Sequence, residues 1–367
     1  MTELLKALLS VQSDTGACDD MQAFLLAFAA NNKLNVREDL AGNIYMIKGA
    51  SQTYPCAVAH MDTVHRITKG GIEPVVVNGL VTGMNPLTME QTGIGGDDKC
   101  GIYAALICLQ TLPEMKAAFF VDEECGCDGS NNCDLEFFKD CRYILQADRR
   151  GKEDWVKDIS GPLGSKAFQK AVRPIYQKYG YKPCSGMMTD VMELRDRKVG
   201  VSVANMSAGY YSPHMDCEFI SLKSLDNVIN MMVDIFTNVT DVFPFVTNRS
   251  SYNWRRATTF AAGEHDGSWT KDGSGQWSKK YPALDNTKRI KNLGDTDDSK
   301  FEEEMRRELI EEQGISQLDM TTPCEVKCTE CGDILPTDDM VQISNNCSVC
   351  HECYDKYFGD IKPGVTS

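Results

Sequence analysis

Short apolar runs alternate with segments of helical periodicity from the start of the chain to about residue 240, and this alternation restricts the possible folds. The strand-like runs are residues 43–47, 55–59, 117–121, 143–146 and 199–203. The helical segments are residues 19–30, 101–110, 166–179 and 222–236. Strands interleaved with helices predict an α/β fold, in which helices cover both faces of a mixed, mostly parallel sheet.

The composition changes after Phe245. Residues 248–300 are rich in Ser, Gly, Asp, Asn and Lys and show no clear period, which is typical of a linker. We therefore predict a large domain over residues 1–244 and a module over residues 324–367. The linker between them, residues 245–323, is expected to be largely disordered, with a short helix near 299–313.

Net charge, hydropathy and cysteine usage argue against a nucleic-acid-binding, a membrane-spanning or a secreted disulfide-bonded protein. The net charge of -15 argues against a nucleic-acid binder and against docking on anionic lipid. The most apolar segment, residues 21–30, is too short to span a membrane, and the first residues resemble an amphipathic helix rather than a signal peptide. Ten of the 16 cysteines are scattered over the first 217 residues without a disulfide framework. We expect a cytoplasmic protein.

Acidic residues and histidine follow several of the predicted strands. His60 and Asp62 follow residues 55–59, Glu123 and Glu124 follow residues 117–121, and Asp148 follows residues 143–146. In sheets of this kind, ligands collect beyond the carboxyl ends of the strands. Asp97 in a glycine-rich turn and His214 add a further carboxylate and imidazole. Together these side chains predict a site for two zinc ions that activates water.

Each residue type suits a role in such a site. Asp62 lies two residues after His60 on the same face of a strand, so it can hold the ring nitrogen that does not bind metal. Asp97 can bridge two ions. One of the neighbouring Glu123 and Glu124 can bind metal while the other accepts a proton. Asp148 is expected beside the ion that His60 holds, and His214 beside the other.

Five motifs in this order resemble the co-catalytic zinc exopeptidases and deacylases, a family that includes peptidase T, carboxypeptidase G and the aminoacylases. They lie at residues 60–64, 95–101, 122–126, 147–148 and 205–214, within roughly the first 240 residues. The resemblance implies a general base at Glu123, an orienting Asp62 and a cis peptide bond between Asp97 and Asp98. Zinc is the default metal for such a site, and oxygen-rich ligand sets also accept Co²⁺ or Mn²⁺. The implied metal ligands are His60, Asp97, Glu124, Asp148 and His214.

One departure from the family concerns substrate binding. Many members insert a lid domain before the final histidine, but only 65 residues separate Asp148 from His214. We therefore expect an architecture close to the lidless aminopeptidases. Arg149 and Arg150 are candidates for binding a substrate carboxylate, although an ordinary surface ion pair is an equal alternative. Asp190 is a weaker candidate for a supporting or substrate-binding role, and His65, His265 and His351 are expected to be incidental.

The C-terminal cysteines indicate a separate metal site. Cys328 and Cys331 form one Cys-x-x-Cys pair, and Cys350 and Cys353 form another after an 18-residue gap. This spacing predicts a four-thiolate zinc site of zinc-ribbon or treble-clef type, with Cys347 as a rival partner of Cys350. A structural zinc is the default, because so short a module cannot bury a sufficient core. A protein-docking role is the alternative, and the absence of a basic stripe disfavours nucleic acid.

These patterns favour a hydrolase that cleaves the terminal amide bond of a short peptide, in the manner of an aminopeptidase. A deacylase or deacetylase of N-acyl amino acids would use the same metal site. A third hypothesis is a non-catalytic scaffold whose zinc module recruits a protein partner.

Metal content tests the two predicted zinc sites. We expect about three zinc ions per intact chain and about two in a chain that ends near Thr247, because the cysteine module would be removed. Elemental analysis of both purified proteins measures the difference. Equal metal content in the two forms would contradict a zinc site in the module.

Overall fold

The computed structural model describes residues 1–247 and the backbone of six short strands beyond them. The chain divides into two units, Met1–Tyr252 and Asn253–Ser367. Described strands of the second unit pair as antiparallel hairpins: Trp269–Lys271 with Trp277–Lys279, Glu325–Lys327 with Ile334–Pro336, and Met340–Ser344 with Cys347–Cys350. The helix predicted near 299–313 lies outside the described residues, and the domain boundaries remain a prediction.

The first unit alternates helices and strands as its sequence pattern predicts. Its helices are α1 (Glu3–Ser10), α2 (Asp19–Asn31), α3 (Gly96–Thr111), α4 (Asp128–Asn132), α5 (Lys166–Lys178), α6 (Asp190–Asp196) and α7 (Leu222–Asn238). Its strands are β1 (Asn35–Glu38), β2 (Ile44–Lys48), β3 (Tyr54–His60), β4 (Glu73–Val77), β5 (Leu80–Met84), β6 (Gln91–Thr92), β7 (Met115–Phe120), β8 (Cys141–Gln146), β9 (Asp154–Asp158), β10 (Lys182–Ser185), β11 (Val203–Met206), β12 (Tyr210–Tyr211) and β13 (Phe219–Ser221). Within the described residues, the helices are too short or too polar to cross a bilayer.

A mixed eight-stranded sheet forms the centre of this unit, in the order β1-β2-β7-β3-β8-β11-β9-β10. Strands β7, β3, β8 and β11 run parallel, whereas β1 and β2 are antiparallel to their neighbours and β9 is antiparallel to β11. The predicted fold class, a mixed and mostly parallel sheet between helices, is confirmed.

One predicted strand is displaced along the chain. The sequence pattern places it at residues 199–203, but β11 begins at Val203, which pairs with Ile144 of β8. The preceding residues pair with the segment after α7 instead: Val201 bridges Pro244, and the Ser202 N–H donates to the Phe243 carbonyl. One continuous apolar run therefore pairs with two different segments, first with the residues after α7 and then with β8. Hydrophobic periodicity alone does not show where the first pairing ends and the second begins.

Side chains of the central strands bury both faces of the sheet. Along β7, Ala117 and Phe119 face one core, and Ala118 and Phe120 face the other. Helices α1, α2, α3, α5 and α7 pack on the first face. Helix α6 and the 3-10 turn Leu135–Phe138 pack on the second. Because both faces are covered, these strands appear in the sequence as uninterrupted apolar runs.

A second, antiparallel sheet was not predicted from the sequence. It has the order β12-β13-β5-β4, with β6 paired to β5. Its strands are short and many of their residues are partly exposed, so they lack a strong apolar signal. The pairing of β13 with β5 brings residues around 220 beside residues around 81, and so carries the segment that contains His214 towards the start of α3.

An aromatic cluster in the core on one face of the large sheet offers a test of how much core packing contributes to stability. Phe168 of α5 is completely buried, and its ring lies 5.3 Å from Tyr143, 5.5 Å from Phe243 and 6.4 Å from Trp155. We expect Phe168→Ala to lower the free energy of unfolding by about 3–5 kcal/mol, because it leaves a cavity. Urea denaturation measures this change. Leu40→Ala, at a fully exposed position, is the control and should change stability by less than about 0.5 kcal/mol.

Candidate metal centre

Three strands of the large sheet deliver polar residues to one edge. His60 is the last residue of β3, Glu123 and Glu124 lie just beyond β7, and Asp148 lies two residues beyond β8. Strand β3 lies between β7 and β8 and runs parallel to both, so the carboxyl ends of all three are adjacent. The sheet topology therefore brings these segments together, although they are far apart in sequence.

Asp97 occupies the centre of this group. Its Oδ1 lies 3.2 Å from Nε2 of His60, and its Oδ2 lies 3.4 Å from Nε2 of His214. The peptide bond between Asp97 and Asp98 is cis, as the family resemblance implies. Each oxygen of one carboxylate thus faces a different imidazole, which is the arrangement that a bridging ligand needs.

The remaining carboxylates divide between the two imidazoles. Oδ1 of Asp148 lies 3.7 Å from Nε2 of His60, and Oε1 of Glu124 lies 3.0 Å from Nε2 of His214. This division matches the expected pairing of Asp148 with His60. One nitrogen or oxygen from each of His60, Asp97 and Glu124 also lies within 4.8 Å of the others. The five predicted ligands therefore form one compact cluster.

The donor set fits divalent metal ions. Oε1 of Glu124 is buried and faces Nε2 of His214 at 3.0 Å. Burial of a carboxylate oxygen is costly unless a donor or a cation satisfies it, and a bound metal ion would do so. Imidazole nitrogens with carboxylate oxygens suit zinc, and such oxygen-rich sets also accept Mn²⁺.

Asp98 forms a second group with His60 and Asp148 in which a metal would also fit by distance. Its oxygens already accept two backbone N–H groups, from His60 at 3.2 Å and from Gly101 at 3.0 Å. Asp98 is completely buried, and burial is the main reason that its pKa is raised well above the ordinary value. We therefore assign Asp98 to holding the turn at the start of α3.

Asp62 connects the first imidazole to the loop after β7. Nδ1 of His60 lies 2.9 Å from the Asp62 carbonyl oxygen and 3.4 Å from its Oδ1. The Asp62 carboxylate also accepts the Thr15 hydroxyl and the backbone N–H groups of Glu123 and Glu124, at 2.9–3.3 Å. Burial opposes ionisation of Asp62, but the hydrogen bond from His60 and these other donors lower its pKa overall. Asp62 thus orients the ring of His60 chiefly through its carbonyl oxygen, with its carboxylate close to the same nitrogen.

Burial and the crowding of acidic groups raise the pKa values of three residues in this site. Hydrogen bonds to Asp97 and Glu124 raise the pKa of His214 to about 10. Burial and the charge of Asp97 raise the pKa of Asp148 to about 7. Burial raises the pKa of Glu123 well above its ordinary value. A divalent cation would replace the protons that His214 and Asp148 otherwise retain.

Asp148 has supporting residues that the sequence did not reveal. The Thr189 hydroxyl donates to its Oδ2 at 2.8 Å, and Nε2 of Gln146 lies 3.1 Å from the same atom. The Tyr210 hydroxyl lies 3.3 Å from Oδ1. Of these residues, Gln146 could have been noticed in the sequence, because it is a polar residue at the end of an apolar strand.

Two further residues were also missed. Glu218 is completely buried beside the turn that carries Asp97, and Nε2 of His65 lies 2.8 Å from its Oε2. His65, which was expected to be incidental, therefore forms a largely buried contact with Glu218. A carboxylate that bonds mainly to backbone N–H groups leaves no sequence pattern, so neither residue could be assigned from motifs.

The three candidates for substrate binding, Arg149, Arg150 and Asp190, differ in burial: the two arginines lie on a loop, and Asp190 is completely buried. Nε of Arg149 forms an ion pair with Asp154 at 2.6 Å, and its side chain is 29% exposed. Arg150 follows it on the same loop, and its carbonyl accepts the Ser207 hydroxyl at 2.8 Å. Asp190 is completely buried, with its Oδ2 3.2 Å from Nε2 of Gln146. This location favours a supporting role for Asp190, behind Asp148, over a contact with substrate.

Most of the predicted C-terminal zinc site lies outside the described residues. This applies to Cys328, Cys331 and Cys353, whereas Cys350 is the last residue of the strand Cys347–Cys350. The four-cysteine site remains a prediction.

Comparison with known proteins relates the fold to peptidases. No protein-family model matches the chain, and no curated protein sequence is detectably similar to it. Among solved structures, aminopeptidase PepT from Bacillus cereus shares 16% sequence identity and a TM-score of 0.54, and the match covers 65% of this chain and 97% of that one.

Two other solved structures are similar to the same extent. A TET aminopeptidase from a marine sediment thaumarchaeote has a TM-score of 0.52 at 12% identity, with 65% of this chain and 97% of that one covered. A tripeptidase from Staphylococcus aureus has a TM-score of 0.51 at 15% identity, with 64% and 96% covered. At these identities the likeness establishes the fold alone: this chain has the fold that these three peptidases share.

Metal binding should stabilise the folded chain. We expect added Mn²⁺ to raise the melting temperature of metal-depleted protein, because an ion that binds only the native state stabilises it by about 2.7 kcal/mol at 100 times its Kd. Asp97→Asn should remove most of this shift, since Asp97 faces both imidazoles. Thermal denaturation with and without Mn²⁺ measures the effect. Asp241→Asn, at an exposed position, is the control; an equal shift in the Asp97 variant would exclude Asp97 as a ligand.

Proposed function

We propose that this protein is a metal-dependent hydrolase that cleaves the terminal amide bond of a short peptide, as an aminopeptidase does. The observation that carries the proposal is the Asp97 carboxylate, whose two oxygens face His60 and His214 at 3.2 and 3.4 Å. The fold shared with aminopeptidases supports the choice of reaction.

His60, Asp97, Glu124, Asp148 and His214 would hold two divalent metal ions, with zinc as the first choice. When bound, such ions lower the pKa of a water molecule and polarise the carbonyl group of the substrate. The protein contributes a set of ligands held in place by neighbours: Asp62 orients His60, and Thr189 and Gln146 hold Asp148.

Glu123 is the proposed proton carrier. Its backbone N–H donates to the Asp62 carboxylate at 2.9 Å, and its Oε1 accepts the Cys127 thiol at 3.5 Å. In this scheme Glu123 takes a proton from water as the water oxygen attacks the carbonyl carbon. It then gives that proton to the amide nitrogen as the carbon–nitrogen bond breaks.

The remaining sequence predictions belong to the same proposal. The catalytic domain would end near residue 244, and residues 324–367 would form a four-cysteine zinc module joined to it by a linker. A structural zinc there, or a protein partner bound through the module, would account for the cysteine spacing. Cysteines without disulfide partners among the described residues fit the reducing cytoplasm.

Replacement of Glu123 tests its role. Glu123→Gln should lower kcat by about 100- to 10,000-fold, because the amide has the size of the carboxylate but cannot accept the proton. Metal content should stay at the wild-type value, since Glu123 is not a proposed ligand. Glu136→Gln changes an exposed glutamate in the same way and should retain full activity. Normal activity in the Glu123 variant would remove this residue from the mechanism.

Substrate comparison separates the remaining hypotheses. The aminopeptidase proposal expects release of amino acids from short peptides with a free N-terminus, and little release of acyl groups from N-acyl amino acids. The reverse preference would identify a deacylase. A protein that binds metal only through its C-terminal cysteines and hydrolyses neither class would instead support the scaffold hypothesis.

A further inference from the structure

Glu218 is a buried carboxylate that accepts three hydrogen bonds next to the candidate metal centre. Its Oε2 accepts the backbone N–H of Gly95 at 2.7 Å and Nε2–H of His65 at 2.8 Å. Its Oε1 accepts the backbone N–H of Asp97 at 3.0 Å. Hydrogen bonds to an ionised acceptor are roughly twice as strong as neutral ones, so this carboxylate fixes the turn firmly.

The turn that Glu218 holds is the one that presents Asp97. Gly95 has a left-handed backbone with φ of +67°, and Asp97 and Asp98 depart from helical geometry although α3 has begun. The N–H groups at the start of a helix have no partner within the helix itself. Glu218 supplies acceptors for two of them, and one belongs to the residue whose side chain faces both imidazoles.

The surroundings are shaped to admit this carboxylate and its histidine. A Cβ atom on Gly93 would lie 1.9 Å from Cε1 of His65, and a Cβ on Gly96 would lie 3.2 Å from Oε1 of Glu218. Glycine at both positions therefore leaves the space that the imidazole and the carboxylate fill. The side chain of His65 is only 11% exposed, so its contact with Glu218 is largely protected from water.

We propose that Glu218, held by His65, is a positioning residue that orients Asp97 so that its two carboxylate oxygens can serve two metal ions at once. This inference rests on the proposed function and deepens it. If the backbone of Asp97 were released, its carboxylate could rotate to serve one ion well but would lose the alignment that a second ion needs. The effect should therefore fall mainly on the second ion.

The test is a titration of the metal-depleted full-length protein with Mn²⁺, followed by electron paramagnetic resonance. Mn²⁺ prefers carboxylate and imidazole ligands over thiolates, so the C-terminal cysteines should not compete for it. The free ion gives a sharp signal that disappears on binding, and two ions joined by a carboxylate give a coupled signal. Wild-type protein should bind two ions and show this coupling.

Glu218→Gln should weaken binding of the second ion by about 10- to 100-fold and abolish the coupled signal, because the amide cannot accept all three N–H groups. Binding of the first ion should change little. Glu136→Gln, at an exposed glutamate, is the matched control and should behave as wild type. Unchanged binding of the second ion, or equal weakening of both ions, would overturn the proposal, since equal weakening indicates a general structural defect.

His65 provides a second test if the Glu218 variant does not fold. His65→Ala removes one donor to Glu218 and should weaken the second ion selectively, whereas His65→Gln retains an N–H donor and should restore part of its affinity. Identical binding in these two variants and the wild type would overturn the proposal. Its failure is distinguishable from that of the proposed function: wild-type protein that binds two coupled ions but hydrolyses no peptide contradicts only the function. An active enzyme whose affinity for the second ion is unchanged by these substitutions contradicts only the role of Glu218.

Discussion

The sharing of one carboxylate between two imidazoles is the constraint on which the candidate site depends. Asp97 can face both His60 and His214 only if its backbone is held in one orientation, between the large sheet and the small one. Its neighbours Glu124 and Asp148 add negative charge in a partly buried space. Like charges this close oppose one another unless protons or cations compensate them. Repulsion among these carboxylates therefore destabilises the folded chain, and a bound divalent cation would relieve that repulsion.

Each part of the fold contributes a different element of this arrangement. The parallel strands β3, β7 and β8 place His60, the Glu123–Glu124 pair and Asp148 at a common edge. Helix α3 begins with the turn that carries Asp97. The small antiparallel sheet carries the segment with His214 and Glu218 towards that turn. Rigid strands on one side and a clamped turn on the other explain how residues from five segments meet within a few ångströms.

The parts of the molecule that could be predicted from the sequence are those with a strong hydrophobic period or a distinctive set of polar residues. The central strands are continuous apolar runs, and the polar residues that end them stand out, so the sheet and the candidate ligands could be predicted. The predicted position of β11 was four residues too early, because one apolar run pairs with two different segments. The small sheet was not predicted, because its strands are short and half-exposed. Glu218 and His65 act through backbone N–H groups and one buried contact, which depend on tertiary structure and leave no local pattern.

The order in which the site residues occur along the chain has a consequence for biosynthesis. His60, Asp97, Glu124 and Asp148 are made first, but His214 and Glu218 lie near the end of the first unit, on the segment that joins β12 to β13. A nascent chain of fewer than 214 residues lacks both the second imidazole and the carboxylate that holds the Asp97 turn. The candidate site is therefore incomplete until most of the first unit has been translated and the small sheet has formed.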